Sequence, residues 1–366
     1  LHRTLDRVAH VDPVRPAAAE GLVARVYEQV ERDFGMLAPP VALHSPAPEV
    51  LAAAWVMLRE TLVAGPAAGR PDAEAVAAAV SRANACPYCV AVHEAALHDL
   101  VPAQGANGMG RDGVGSDGAG LDGVGGNGAG RDAAGRDGLA AWAAGAGRPA
   151  AGAPAPVPFE AERVPRLLGV AVTFHYLNRM VNIFLEDSPV PSRVPARVRA
   201  PMMRVLGRLL RPAARRGAEP GLSLALLPPA PLPGDLSWAA ADPVVGDAFA
   251  RASAAVERAG RAVPDPARAL VGDHLDAWDG AHPPAGRDWL EEAVATVPEA
   301  ARPAARLALL TAVASYRIGP SEVAAFRRTD PRDAALLGLT AWASLTAARK
   351  IGAKAVYSNA PTETKD

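Results

Sequence analysis

Apolar residues in this chain recur three and four positions apart. Between Arg15 and Phe34 they fall at Leu22, Val23, Val26, Tyr27 and Val30; between Pro48 and Val63 they fall at Leu51, Trp55, Leu58 and Leu62. That spacing puts each set on one side of an α-helix. Period-two alternation, the mark of a half-buried strand, is scarce. Composition points the same way. Half of the 366 residues are hydrophobic, but the largest share of them is alanine, aromatics make up 5%, and isoleucine occurs only at Ile183, Ile318 and Ile351. Strands favour β-branched and aromatic side chains, so the expected fold is all-α with closely spaced helices. The length allows two domains or one large one.

The chemistry is concentrated in Cys86-Pro87-Tyr88-Cys89-Val90-Ala91-Val92-His93, which holds both cysteines of the chain. Proline favours the first position of a helix, so Cys86 reads as an N-cap and the helix runs from Pro87 to about Leu100. Cys89 and His93 then stand at i, i+4 on one face. A thiol at a helix N-terminus meets unpaired N–H groups and the positive end of the dipole, both of which favour thiolate. His93 is the natural base or hydrogen-bond partner. A second helix is expected from Pro71 to Arg82; if it packs back on the first, Glu74 comes behind His93 and orients its ring. Two thiols at this spacing can close a disulfide or share a metal, and the residue types alone leave both open.

Glu74, Cys86, Cys89 and His93, with Ser81-Arg82-Ala83-Asn84-Ala85 leading into the cysteines, resemble the active-site pattern of the alkylhydroperoxidase D / carboxymuconolactone decarboxylase-like superfamily. Better known members look to carry a second histidine where Tyr88 stands here, and a phenol is a poor base near neutral pH. The resemblance implies a helical bundle and a dithiol peroxidase. Cys86 and Cys89 would form the redox pair and His93 with Glu74 the proton relay. The substrate would be an organic hydroperoxide or H2O2, and the reductant a dithiol such as that of a lipoyl-bearing protein. The resemblance also implies a homo-oligomer. Phe159 to Phe184 resembles the family's closing helix with its Asn-Arg pair. It would bring His175, Tyr176 and Asn178 to a pocket shared with Tyr88. No cofactor or metal is called for.

From Gly105 to Gly138 the text changes. Fourteen glycines fall there, in a five-residue x-Asp/Asn-Gly-x-Gly repeat. Such a stretch buries no apolar area and is expected to lack fixed structure. Calcium-binding glycine repeats have period nine, which this one does not match. Arg193 to Arg216 carries eight arginines and no acid; a structural helix with a solvated arginine face is expected, ahead of a membrane-surface or acidic-partner helix. The last third reads as a worn copy of the first. Laying Pro320 on Pro87 puts Leu307, Gly319, Glu322 and Phe326 at the places of Glu74, Cys86, Cys89 and His93. Leu336-Leu337-Gly338 likewise repeats Leu167-Leu168-Gly169. The expected organisation is therefore 1–104 and 139–190 as one active helical repeat, with 105–138 inserted in it. Residues 191–235 form an arginine-rich helix and proline-rich linker, and 236–366 a second repeat without the site.

A net charge of −1 supplies no global field for nucleic acid. No stretch is long and apolar enough to span a membrane, and two cysteines are too few for a secreted disulfide framework. The cytoplasm is the expected compartment. The alternatives to a peroxidase are a thiol–disulfide oxidoreductase or redox sensor using the same pair, a zinc site on Cys86, Cys89 and His93, and a non-catalytic helical interaction protein. Three tetrahedral ligands are hard to draw from one short helix, which disfavours zinc.

Overall fold

The computed structural model describes residues 2–101, 127–145, 158–191 and 194–357. Among them the chain forms α-helices joined by short 3-10 turns, with no strand. In order these are α1 (Gly21–Phe34), α2 (Pro39–Ala42), α3 (Pro48–Leu58), α4 (Arg70–Ala83), α5 (Pro87–Leu100), α6 (Asn127–Gly145) and α7 (Val164–Phe184). The remainder are α8 (Ala196–Arg216), α9 (Pro243–Ala259), α10 (Asp265–Ala277), α11 (Asp288–Ala295), α12 (Arg302–Ala314), α13 (Pro320–Arg327) and α14 (Asp333–Tyr357). The fold is all-α. Helices α2, α3, α5, α9 and α13 each begin on proline, whose fixed φ suits the first turn and whose missing N–H is not needed there.

Two long helices, α7 and α14, pack against each other at the centre. Helix α7 also meets α4, while α14 meets α9 and α12. Small residues let the backbones close up. A Cβ added at Gly338 on α14 would run into the Ala259 carbonyl oxygen at the end of α9, and one at Gly169 on α7 would lie 2.8 Å from the Thr61 methyl. One buried apolar cluster runs from Leu5 to Ala355 through both halves, with Trp55, Phe184, Phe249, Leu168, Met180 and Leu236 fully enclosed. Cys86, Tyr88, Cys89 and Val181 form a separate, smaller cluster beside it.

The order of a helix, a short turn, a proline-started helix and a later long core helix occurs twice, as α4, α5, α7 and as α12, α13, α14. In the second run Glu322 stands where Cys89 does in the first, and its carboxylate accepts the Gly319 backbone N–H at 2.9 Å, capping its own helix.

Three expectations differ from the structure. Helix α6 already begins at Asn127, inside the stretch expected to lack structure. Its later part packs on α4 with Leu139, Trp142 and Ala143 buried, and this tertiary contact outweighs the poor helix propensity of glycine. The rest of that stretch, from 105 to 126, lies outside the described residues. The first helix starts at Gly21 rather than Arg15, after a 3-10 turn at Pro16–Ala18. The helix from Pro48 widens into one π turn at Arg59–Val63. There the buried Arg59 side chain pairs with Asp33 at 2.7 Å and with Glu60 at 2.7 Å, and Glu60 accepts from Gly221 and Ser223. Among the described residues no helix is long and apolar enough to cross a membrane.

Candidate active site

Helices α4 and α5 are joined by only three residues, Asn84, Ala85 and Cys86. Ala85 takes a left-handed conformation, φ +49°, which is uncommon for a residue with a Cβ and is a form of local strain met at functional sites. The turn is tied by the Cys86 N–H donating to the Ser81 carbonyl at 3.0 Å. Cys86 caps α5 and Pro87 opens it, as the sequence predicts. Both thiols are free and buried.

The turn folds α5 back along α4, which brings Glu74 to His93. His93 Nδ1 lies 2.6 Å from Glu74 Oε2, and Arg70 Nε donates to Glu74 Oε1 at 2.7 Å. All three side chains are buried. Burial opposes ionisation of Glu74, but Arg70 and His93 outweigh it and hold the carboxyl down at about 2. An ionised carboxylate only accepts hydrogen bonds, so the proton between the pair sits on Nδ1. In neutral His93 the lone pair is then on Nε2. Phe174 of α7 meets the ring edge-on at 4.4 Å and fixes its plane.

His93 and Cys89 share the wall of an apolar cavity of about 610 Å³, counting its open mouth. Tyr88, Phe34, Leu177 and, from α8, Leu206 also line it. Cys86 does not. Cys86 and Asn178 are the polar neighbours of the Cys89 thiol. Burial, and after it the neighbouring Cys86, push the Cys89 thiol well above its ordinary value, while the Asn178 contact acts in the opposite sense. At Cys89 dehydration exceeds any help from the dipole of α5.

The remaining expected pocket residues divide. Tyr88 lines the cavity, and burial raises its phenol further out of reach as a base. Asn178 lies behind Cys89, donating to Ser81 Oγ at 3.1 Å and accepting from Asn84 Nδ2 at 3.0 Å. Tyr176 is not at the cavity; it is wholly buried and stacks on His44 at 5.8 Å. His175 lines a different cavity, on the far side of Asn84. Residues on α7 alternate around the helix, so adjacent His175 and Tyr176 face different neighbours. Sequence reasoning missed Arg70, though its i, i+4 spacing to Glu74 is a readable signal, and it missed Asn84, whose role arises only where α4, α5 and α7 meet. Among the described residues no group of three or more His, Cys, Asp and Glu side chains is arranged to hold a metal ion.

Comparison with known proteins bears on this geometry. The chain is 37% identical over 345 residues to a protein of Mycobacterium tuberculosis (strain ATCC 25618 / H37Rv) named alkyl hydroperoxide reductase Rv2159c, and the match covers 94% of each chain. The chain belongs to the alkylhydroperoxidase D-like superfamily. No family model matches the sequence, and no solved structure matches it. Within this superfamily member, the chemistry-bearing residues Glu74, Cys86, Cys89 and His93 all come from α4, α5 and the turn between them.

Proposed function

We propose that this protein reduces organic hydroperoxides through Cys86 and Cys89, with His93 and Glu74 as the proton relay. The observation that carries the reading is the shared cavity: Cys89 and His93 line one apolar pocket, and Glu74 holds His93 from behind at 2.6 Å. The name of the relative, an alkyl hydroperoxide reductase, points to the same chemistry.

Cys89 is the attacking residue in this scheme, because it lines the cavity and Cys86 does not. His93 Nε2 takes the Cys89 proton. The thiolate attacks the terminal peroxide oxygen, the O–O bond breaks, and the departing alkoxide takes the proton from His93 and leaves as alcohol. Cys89 is then a sulfenic acid. Cys86 attacks its sulfur, an S–S bond forms, and water leaves. A dithiol donor restores the pair by two exchange steps. Both sulfurs are buried, which favours a slender donor such as the lipoyl arm of a carrier protein. The apolar lining favours alkyl over hydrogen peroxide. A reducing compartment such as the cytoplasm and a homo-oligomeric state complete the proposal.

Stopped-flow oxidation of the reduced protein by cumene hydroperoxide tests it. Wild type should pass to an intramolecular disulfide, Cys86→Ser should halt at a trappable sulfenic acid, and Cys89→Ser should react no faster than buffer. His93→Gln should slow the first step by about 10²–10⁴-fold. A wild-type rate equal to that of a free thiol would refute peroxidase activity.

A further inference from the structure

A second cavity, of about 460 Å³ with its mouth, lies between the end of α4, α7 and the turn that follows α12. Asn84, His175, Arg179, Trp278, Ser315 and Tyr316 are among its walls. It brings the first half of the chain against the second, and the peroxide chemistry does not use it.

Among the described residues three arginines are buried: Arg59, Arg70 and Arg179. Arg59 pairs with Asp33 and Glu60, and Arg70 with Glu74. Arg179, 4% exposed, has no carboxylate partner among the described residues. Its Nε donates to the Ala312 carbonyl at 2.9 Å and its Nη1 to the His175 carbonyl at 2.6 Å, which leaves Nη2 for a ligand. Burial lowers its pKa to about 10, so the guanidinium stays charged at neutral pH. A buried, uncompensated cation is costly to hold.

His175 adds a donor. Asn84 Nδ2 donates to Asn178 Oδ1 at 3.0 Å and stands 3.0 Å from His175 Nδ1, which also lies 3.2 Å from Asn84 Oδ1; the nearer contact has Nδ2 donating to the ring. Burial keeps the ring neutral, so with Nδ1 accepting, the hydrogen is on Nε2. That Nε2 is buried and has no acceptor. Two donors, one of them charged, thus belong to residues that line one cavity without an anion from the described protein. Trp278 and Tyr316 bring aromatic side chains to the same cavity, with Arg317 over the Tyr316 ring at 5.5 Å.

We propose that this cavity binds a small organic monocarboxylate, its carboxylate on Arg179 and His175 and its apolar body against Trp278 and Tyr316. A planar guanidinium matches a carboxylate, and Arg317, over the Tyr316 ring at 5.5 Å and donating to the Pro283 and Pro284 carbonyls, adds to the positive character of the same wall. Asn84 also holds Asn178, which neighbours Cys89. Binding itself does not depend on the peroxide chemistry.

Calorimetric titration of the full chain with benzoate, neutral benzamide and inorganic phosphate tests this. Benzoate should bind saturably at one site per chain, benzamide at least about tenfold more weakly, and Arg179→Gln should lose about tenfold or more of the benzoate affinity. Crystals grown with 4-bromobenzoate should show the bromine between Trp278 and Tyr316; this readout stands even if Arg179→Gln does not fold. No benzoate binding at millimolar concentration, equal binding of benzamide, phosphate binding in preference to benzoate, or bromine placed elsewhere would each overturn the assignment.

Discussion

At the scale of single residues, Glu74 is the group on which the site's charge state turns. Its carboxyl lies at about 2 in the folded chain against an ordinary 4.5. A depressed carboxyl pKa stabilises the folded state above the unfolded value, near 4.5, and that contribution is lost as pH falls toward 2. The difference corresponds to about 3 kcal/mol. Urea unfolding of wild type should therefore show stability falling steeply from pH 4.5 downward. Glu74→Gln should be less stable at pH 7, because it leaves Arg70 buried without its partner charge, and should flatten the acid limb. An acid limb as steep in the variant as in wild type would assign the loss to other carboxylates. The same residue orients His93, and Glu74→Gln leaves one acceptor oxygen for two donors, Arg70 Nε and His93 Nδ1, so the His93 tautomer is no longer fixed.

At the scale of elements, close helix approach matters more than side-chain bulk. Gly338 touches the end of α9 so nearly that a methyl group there would meet the Ala259 carbonyl. Gly338→Ala must push α14 away from α9, and overpacking of this kind costs about 1–3 kcal/mol. Thermal denaturation should register a lowered Tm for Gly338→Ala, while the same change at Gly272 on α10, where a Cβ meets nothing within 4 Å, should leave Tm unchanged or raise it. Gly169, which corresponds to Gly338 in the internal comparison, also packs closely, against Thr61 and Phe249. Helix α13 also starts on proline, and a capping Glu322 with apolar Leu307 and Phe326 stand at the positions aligned with Cys89, Glu74 and His93.

At the scale of the whole molecule, one core runs through both halves of the chain. The α7–α14 contact is central to both, and Arg179 of α7 donates to Ala312 of α12. A core shared in this way couples the halves. Calorimetry should find a single unfolding transition whose van't Hoff and calorimetric enthalpies agree. A chain ending at residue 235 would expose the α7 face that α14 covers, and should fail to give a cooperative transition. Two separated transitions would show instead that the halves fold independently.

The sequence by itself determined the helices and the four residues proposed to react. Helix period, proline starts and the Cys86–His93 spacing are local properties, and local geometry follows from nearest neighbours along the chain. It also showed that Glu74 comes behind His93 if α4 returns on α5, because a short turn leaves a helical pair few arrangements. What it left undecided depended on distant parts of the chain. Cys89 rather than Cys86 faces the apolar cavity, and the Cys89 thiol is raised rather than lowered, because burial is the work of α7, α8 and the α1–α2 connection. His175 and Tyr176 parted company for the same reason. Helix α6 extends into glycine-rich text because α4 is there to receive its apolar end. The cavity around Arg179 has no signature in the sequence, since its walls come from residues as far apart as Asn84 and Tyr316. Only packing brings a cation to a place where no carboxylate from the described residues meets it.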